Sequence, residues 1–295
     1  MKRHVTEGLH RDAVGLDQKL PAEVAALLVE GQIAAAVAVR AALPQIVSGA
    51  TAMAASIGAG ARLHYIAAGS SGLMAAADAQ ELGGTFSISS EQLRIHMAGG
   101  LPTGVEMPGG TEDDTEGLAL ALADLGPSDT VIAVSASGTT PYTVAAAEIA
   151  RARGATVVGI ANNGDTPLLN LAHHAILLPT PPEVLSGSTR MGAGTAQKIA
   201  LNMLSTLMAL ELGHVYDGMM VNLRADNIKL RARAAGIVAQ AAHVDPQVAE
   251  AALDAAQGAV KPATLIAAGG ISPAEAQDLL EQTNGNLRGA LARLR

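Results

Sequence analysis

The stretch Asp129-Thr130-Val131-Ile132-Ala133-Val134-Ser135-Ala136-Ser137-Gly138-Thr139-Thr140-Pro141 decides the fold. Asp129 to Ser135 is a short apolar run bounded by turn residues, the signature of a strand buried on both faces. A hydroxyl- and glycine-rich turn follows. Pro141 then suits the first position of a helix, which the pattern carries through Arg153. Upstream the same rhythm recurs: an apolar strand at Arg62–Ala68, the turn Gly69-Ser70-Ser71-Gly72, and a helix over about Leu73–Glu81. Further strands are predicted at Leu93–Ala98, Ala155–Ala161 and His174–Leu178. A loop around Ser186–Arg190 leads into a long helix over about Ala193–Leu212. Strands alternating with helices at this spacing predict an α/β fold, a doubly wound parallel sheet flanked by helices.

Outside that region the rhythm changes. Residues 1–20 read as a polar, irregular tail, and Ala22–Ile57 as helix with a break near Gly31 or Pro44. Beyond Asn222 the pattern is wholly helical. Asp245–Arg295 reads as a three-helix module, with turns at Gly269-Gly270 and Asn284-Gly285 and a capped helix start at Ser272-Pro273-Ala274-Glu275. The expected domains are therefore 1–240 and 241–295.

Composition removes several function classes. The chain has 295 residues, 49% hydrophobic but only 1% aromatic, with three Tyr, one Phe and no Trp, so small aliphatic side chains must fill the core. So few rings leave little to stack on bases, and a net charge of −8 opposes a phosphate backbone; no nucleic-acid partner is expected. With no cysteine, disulfides, iron–sulfur clusters and thiolate zinc sites are excluded. The start carries no signal-like apolar stretch, and apolar runs elsewhere read as broken short of the roughly 20 residues that a span needs. The expectation is a soluble, cytoplasmic protein with no membrane partner.

The two turns carry the first functional reading. Where a parallel strand ends and a helix begins, free backbone N–H groups and the helix dipole favour an anion. Glycine allows close approach, and hydroxyls add donors without charge. Ser70, Ser71, Gly72, Ser135, Ser137, Gly138, Thr139 and Thr140 are the candidates, joined by Ser188, Thr189 and Arg190 of the later loop. Each residue type is also ordinary in turns and caps; two such turns at equivalent places in one sheet favour a ligand. The P-loop signature is absent, and Gly69-x-x-Gly72 is not the three-glycine dinucleotide fingerprint.

These same residues bear a resemblance. The first turn with its helix, the second turn, and Ser188-Thr189-Arg190-Met191 resemble a sugar isomerase (SIS) domain. More narrowly the chain resembles the N-acetylmuramic acid 6-phosphate etherases, nearly end to end. The match includes Thr6-Glu7-Gly8, Leu63-His64-Tyr65-Ile66, Asp78-Ala79-Gln80-Glu81, Glu112-Asp113, and Thr140-Pro141-Tyr142. Its most specific stretch is Ala193-Gly194-Thr195-Ala196-Gln197-Lys198 with Leu201-Asn202-Met203-Leu204-Ser205-Thr206. The helical tail is similar to that family's ubiquitin-associated-like (UBA-like) C-terminal module.

The resemblance implies a lyase that removes the D-lactyl ether from a phosphorylated amino sugar by elimination and rehydration, in N-acetylmuramic acid catabolism and peptidoglycan recycling. It implies Glu81 as the acid and Glu112 as the base, no metal, no cofactor, and a homodimer with sites at the subunit interface. Paired carboxylates suit the chemistry, since one must be ionised and the other protonated. Read from the residues alone, Glu81 is more readily a solvated helix-end residue, and Glu112 belongs to an acidic run with Asp113, Asp114 and Glu116. Lys198 reads as a snorkelling surface lysine and His64 as a core or half-buried histidine. His173-His174 lack a third metal ligand. The chain departs from the family where Leu73, Thr139 and Gly192 replace cations. Those departures keep two alternatives open: an SIS-fold isomerase or lyase on another sugar phosphate, and a non-catalytic sugar-phosphate-binding regulator.

Overall fold

Five parallel strands form the centre of the first of two compact units in a computed structural model that describes residues 5–107 and 109–294. β1 (Leu63–Ala67), β2 (Leu93–Met97), β3 (Thr130–Ser135), β4 (Thr156–Ala161) and β5 (His174–Leu177) lie in the order β2-β1-β3-β4-β5. Every pairing is parallel, as the alternating pattern predicts. The chain winds outward from β1 to β2, then crosses back to β3 on the other side of β1. The strand order thus reverses between β1 and β3, and the crevice beyond that point is where open α/β sheets bind ligands.

Helices cover both faces. On one side α4 (Leu118–Ala121), α5 (Pro141–Ala152) and α6 (Pro167–Leu171) pack on β1, β3 and β4. Leu122, Val131, Ala133, Ala146, Ala150, Val157 and Leu168 are buried together there. Ile132 and Val134 alternate to the opposite face, which is covered by α2 (Leu43–Gly58). Gly49 lets α2 come close: a Cβ there would stand 3.0 Å from Leu204 and 3.3 Å from Val158. Aliphatic side chains, Ala, Val, Leu and Ile, make these contacts, in keeping with the scarcity of aromatics.

The helix before α2, α1 (Pro21–Ala38), passes through Gly31 without interruption. The break falls instead at a 3-10 turn, Val39–Ala42, just before Pro44, because proline cannot donate into a helix interior. Contrary to expectation, the helical stretch Pro21–Gly58 is long and apolar enough to cross a membrane by length and composition. Alanine and valine keep its mean hydropathy high even though Pro44 and the 3-10 turn divide it. The α2 half buries Ile46, Ala50, Met53 and Ile57 within the unit, whereas α1 leaves Val29, Ile33 and Val37 exposed.

The first turn also differs from its expected form. α3 begins at Gly69, not Leu73, and runs to Phe86 rather than ending at Glu81. Gly72 N already donates to Ala68 O at 2.9 Å, so Gly69–Gly72 is the first turn of helix rather than a loop before it. Serines and glycines lower helix propensity only slightly at a first turn, where N–H groups need no intrahelical partner. α7 (Gly192–Glu211) matches its predicted span within a residue.

The compact units divide α3 after Ala79 and α7 after Ser205, so the second unit comprises Gln80–Ser90 and Thr206–Arg295. It holds a hairpin, β6 (Val215–Tyr216) with β7 (Met219–Met220), turned by Asp217 and Gly218 at φ 46° and 76°. Five helices follow: α8 (Ile228–Ala242), α9 (Pro246–Ala255), α10 (Val260–Gly269), α11 (Pro273–Gln282) and α12 (Leu287–Arg293). The stretch after residue 245 therefore contains four helices, not three. Gln257 and Gly258, both at positive φ, split α9 from α10 where the sequence reads as one Ala-rich run. The boundary expected after residue 240 falls inside α8, whose Val238 shares a core with Leu253, Leu265 and Leu280. Ser272 caps α11 as predicted, in a box with Glu275.

Candidate functional site

The turn after β3 is organised by Ser135. Its Oγ accepts from Gly138 N at 3.0 Å and lies 2.8 Å from Thr140 Oγ1. Ser137 Oγ accepts from Thr139 N at 3.1 Å and from Thr139 Oγ1 at 3.0 Å. Gly138 stands at φ 72°, and a Cβ there would lie 2.4 Å from Thr166 Oγ1, so this position needs glycine. The result is a ring of hydroxyls held on each other at the start of α5. Hydroxyls can reorient toward an acceptor that arrives, so the turn is a ready donor set.

Glu112 joins this turn to the one after β1. Its backbone carbonyl accepts from Tyr142 N at 3.0 Å, which satisfies an otherwise orphaned N–H in the first turn of α5. Its carboxylate reaches the other way and lies over the start of α3. A Cβ on Gly69, at φ 53°, would stand only 2.6 Å from Glu112 Oε1. The positive end of α3 thus faces a carboxylate of the chain itself. That carboxylate has no hydrogen-bond or ion-pair partner among the described residues.

The start of α7 is filled in the same way. The buried Glu183 accepts from Gly192 N at 2.9 Å and from Ala193 N at 2.8 Å. A side chain at Gly192 would meet that carboxylate at 3.0 Å. Near the carboxyl ends of the strands, the starts of α3 and α7 therefore face glutamates, and the start of α5 faces the hydroxyl ring.

A cavity of about 200 Å³ opens between these elements. Among the residues expected at the site, Ser70, Ser71, Glu112, Ser137, Thr140 and Thr189 line it. Ser135 and Gly138 sit behind as the supports just described, and Thr139 is exposed on the turn. Gly72 faces away, where a Cβ would meet Met97 at 2.9 Å. Ser188 and the exposed Arg190 are not in the lining, which contains no Lys or Arg.

Five lining residues were not among the expected site residues: Thr6, Glu7, Ala68, Ala136 and Gly187. The N-terminal stretch that reads as an irregular tail forms a 3-10 turn, Val5–Glu7. Thr6 is buried: its N donates to Asn163 Oδ1 at 3.3 Å, and its Oγ1 accepts from Asn163 Nδ2 at 2.9 Å. Asn163 Nδ2 also reaches Ala136 O at 3.1 Å, which couples the segment to the second turn. The signal available in the sequence was the family match at Thr6-Glu7-Gly8, which periodicity does not reveal.

Glu81 is exposed on the part of α3 that belongs to the second unit, and its carboxylate has no partner among the described residues. Three residues earlier, the buried Asp78 anchors the same helix. It accepts from Tyr65 OH at 3.0 Å, Asn202 Nδ2 at 2.8 Å and Ser205 Oγ at 2.9 Å. Burial and the adjacent Asp78 push the Tyr65 phenol well above its usual range, so it acts as a donor. Among the described residues no group of three or more His, Asp or Glu is placed to hold a metal ion. His173 is engaged by Val157 N at 2.9 Å, and His64 is fully buried in β1.

The chain is similar to known proteins. Residues 110–211 match the SIS domain model. An N-acetylmuramic acid 6-phosphate etherase of Streptomyces avermitilis is 43% identical, covering 97% of this chain and 93% of its own length. That of Deinococcus radiodurans is 42% identical over 97% of this chain and 94% of its own. A protein of Escherichia coli CFT073, solved as a ligand complex, aligns with a TM-score of 0.51 at 13% identity. It covers 68% of this chain and 97% of its own, and bears on the fold alone.

Proposed function

We propose that this chain, which belongs to the N-acetylmuramic acid 6-phosphate etherase family, cleaves the D-lactyl ether of N-acetylmuramic acid 6-phosphate. Water is consumed, and N-acetylglucosamine 6-phosphate and D-lactate are released. The observation that carries this reading is the Glu112 carboxylate, without a partner among the described residues, lying between two strand-end turns in a hydroxyl-lined cavity. In the reaction Glu112 removes the proton beside the open-chain aldehyde. Glu81 protonates the departing lactate oxygen, leaving an unsaturated aldehyde to which water adds. A carboxylate base held by its own backbone needs no reorganisation before proton transfer. The phosphate binds at Ser137, Thr139 and Thr140, since the start of α3 already faces a carboxylate. Ser70, Ser71, Ser188 and Thr189 take sugar hydroxyls, and Arg190 supplies a cation to the phosphate or lactyl carboxylate.

The test is D-lactate release from N-acetylmuramic acid 6-phosphate, with Glu112→Gln as control. Release by the variant at the wild-type rate would remove Glu112 from the mechanism, and no release by the wild type would sink the etherase reading. A second reading, turnover or sensing of a different sugar phosphate, is favoured by one observation: no Lys or Arg lines the cavity. A thermal-shift panel of sugar phosphates separates the two, because the preferred ligand raises the melting temperature by mass action.

The assembly in this reading is a cytoplasmic homodimer. The exposed Val29, Ile33 and Val37, spaced by one helical turn on α1, support an apolar face for a second copy. A multiply charged sugar phosphate crosses hydrocarbon poorly, which supports placement in the compartment that holds it. Light scattering on the purified full chain gives the mass; a monomer at micromolar concentration would refute the dimer.

A further inference from the structure

Glu112 is not the only carboxylate at the cavity: Glu7 lines it as well, and like Glu112 it has no hydrogen-bond or ion-pair partner among the described residues. We propose that Glu7 determines specificity, accepting a hydrogen bond from a hydroxyl or acetamido N–H of the bound sugar and orienting it with its phosphate toward the second turn. This rests on the sugar-phosphate reading of the cavity, not on the ether-cleavage step.

The backbone on either side of Glu7 is fixed. Thr6 is clamped by Asn163 through two hydrogen bonds, and Asn163 is itself bonded to Ala136 O in the second turn. On the other side of Glu7, Gly8 O accepts from Ser186 Oγ at 3.2 Å, and Gly8 packs on Pro182 so closely that a Cβ would stand 3.1 Å away. Glu7 is held at both neighbours, while its own side chain has no partner among the described residues. Ordering a segment without a long helix or strand costs conformational entropy, and here that order places one acceptor at a ligand cavity.

The chemistry of that acceptor then selects the ligand group. An ionised carboxylate accepts hydrogen bonds and donates none, so its partner must be a hydroxyl or an amide N–H. The dianion of a sugar phosphate offers no donor and is repelled, and inorganic phosphate, with one hydroxyl, is repelled by the same charge. The hydroxyl ring and backbone N–H groups of the second turn supply the donors that a phosphate needs. A sugar phosphate satisfies both sets at once in only one orientation: phosphate toward Ser137 and Thr140, hydroxyl or acetamido edge toward Glu7. Inorganic phosphate satisfies only the second turn.

The experiment compares wild type, Glu7→Gln and Glu7→Ala in the full chain by calorimetry, with N-acetylglucosamine 6-phosphate and inorganic phosphate as probes. Loss of a charge-assisted hydrogen bond predicts sugar-phosphate affinity about tenfold weaker in both variants. Inorganic phosphate affinity stays the same or rises, because a repelling charge is gone. In the lactate assay KM rises with the sugar-phosphate Kd, and kcat stays within about threefold. Unchanged sugar-phosphate affinity in both variants overturns the proposal. So does an equal loss for both probes, or a lowered melting temperature that accounts for the loss, since either marks a structural role. If the wild type discriminates through Glu7 but releases no lactate, the etherase reading fails and this inference stands. If the wild type binds no sugar phosphate, both fail.

Discussion

The two ends of the sheet use the same kinds of residue for opposite purposes. At the amino ends of the strands the polar groups are paired with one another. Asp129 accepts from Arg62 N at 2.8 Å and Gly126 N at 2.7 Å, and Asp124 pairs with Arg62 and Arg94. His64 Nδ1 lies 3.1 Å from His96 Nε2. At the carboxyl ends, Glu7 and Glu112 have no partner among the described residues, and the hydroxyls of the second turn are held on one another. Parallel strands direct helix N-termini toward this end, so it is here that charge can be left available for a ligand. The carboxylates at one end hold the sheet, and two of those at the other, Glu7 and Glu112, are left for chemistry.

Substitutions at the two ends should therefore separate activity from stability. The largest effect is expected for Glu112→Gln, which should lower kcat for lactate release roughly a thousandfold with little change in melting temperature. Next, Asp129→Ala should cost about 3 kcal/mol in urea unfolding, because two backbone N–H groups lose their acceptor, while KM and kcat stay near wild type. A large loss of activity there would blur the distinction. Gly69→Ala should lower kcat about a hundredfold, since the new Cβ displaces Glu112 Oε1 by about an ångström. Its cost in stability should be only about 1 kcal/mol, from the positive φ.

The smallest effect concerns pH. Burial, with His96 next in weight, lowers the His64 pKa to about 4 from 6.5. The unfolded chain binds that proton more readily, so the contribution is full above about pH 6.5 and is lost as pH falls toward 4. Unfolding at pH 7 and pH 5 should differ by about 2 kcal/mol on this account, and His64→Gln should remove that share of the slope. An unchanged slope would show that His64 does not titrate with unfolding.

Much of this architecture is legible in the residues. The five strands of the parallel sheet fall within about a residue of their expected spans because buried parallel strands are short apolar runs bounded by turn residues, a pattern that needs no long-range information; the β6–β7 hairpin was not expected. Pro141 and the Ser272 box mark their helix starts for equally local reasons. The differences arise where local signals are weak. Gly69-Ser70-Ser71-Gly72 reads as a loop and is helix, because its hydroxyls and glycines suit both. Gln257-Gly258 gives little warning of a turn within an Ala-rich stretch. An apolar helix for a protein surface and one for a bilayer have similar composition, so Pro21–Gly58 reads as too broken to span and yet passes on length and hydropathy.

Neighbours along the chain suffice for the order of strands and helices, the two hydroxyl-rich turns and the family. Which of those groups share one cavity is a matter of tertiary structure alone. Packing sets Glu112 on Gly69, closes the start of α7 with Glu183, leaves the second turn to receive an anion, and brings Glu7 from an apparent tail to the rim. Such placements depend on residues up to 178 positions apart, as between Gly8 and Ser186. No periodicity along the chain can encode a contact at that separation; it follows from strand order and packing.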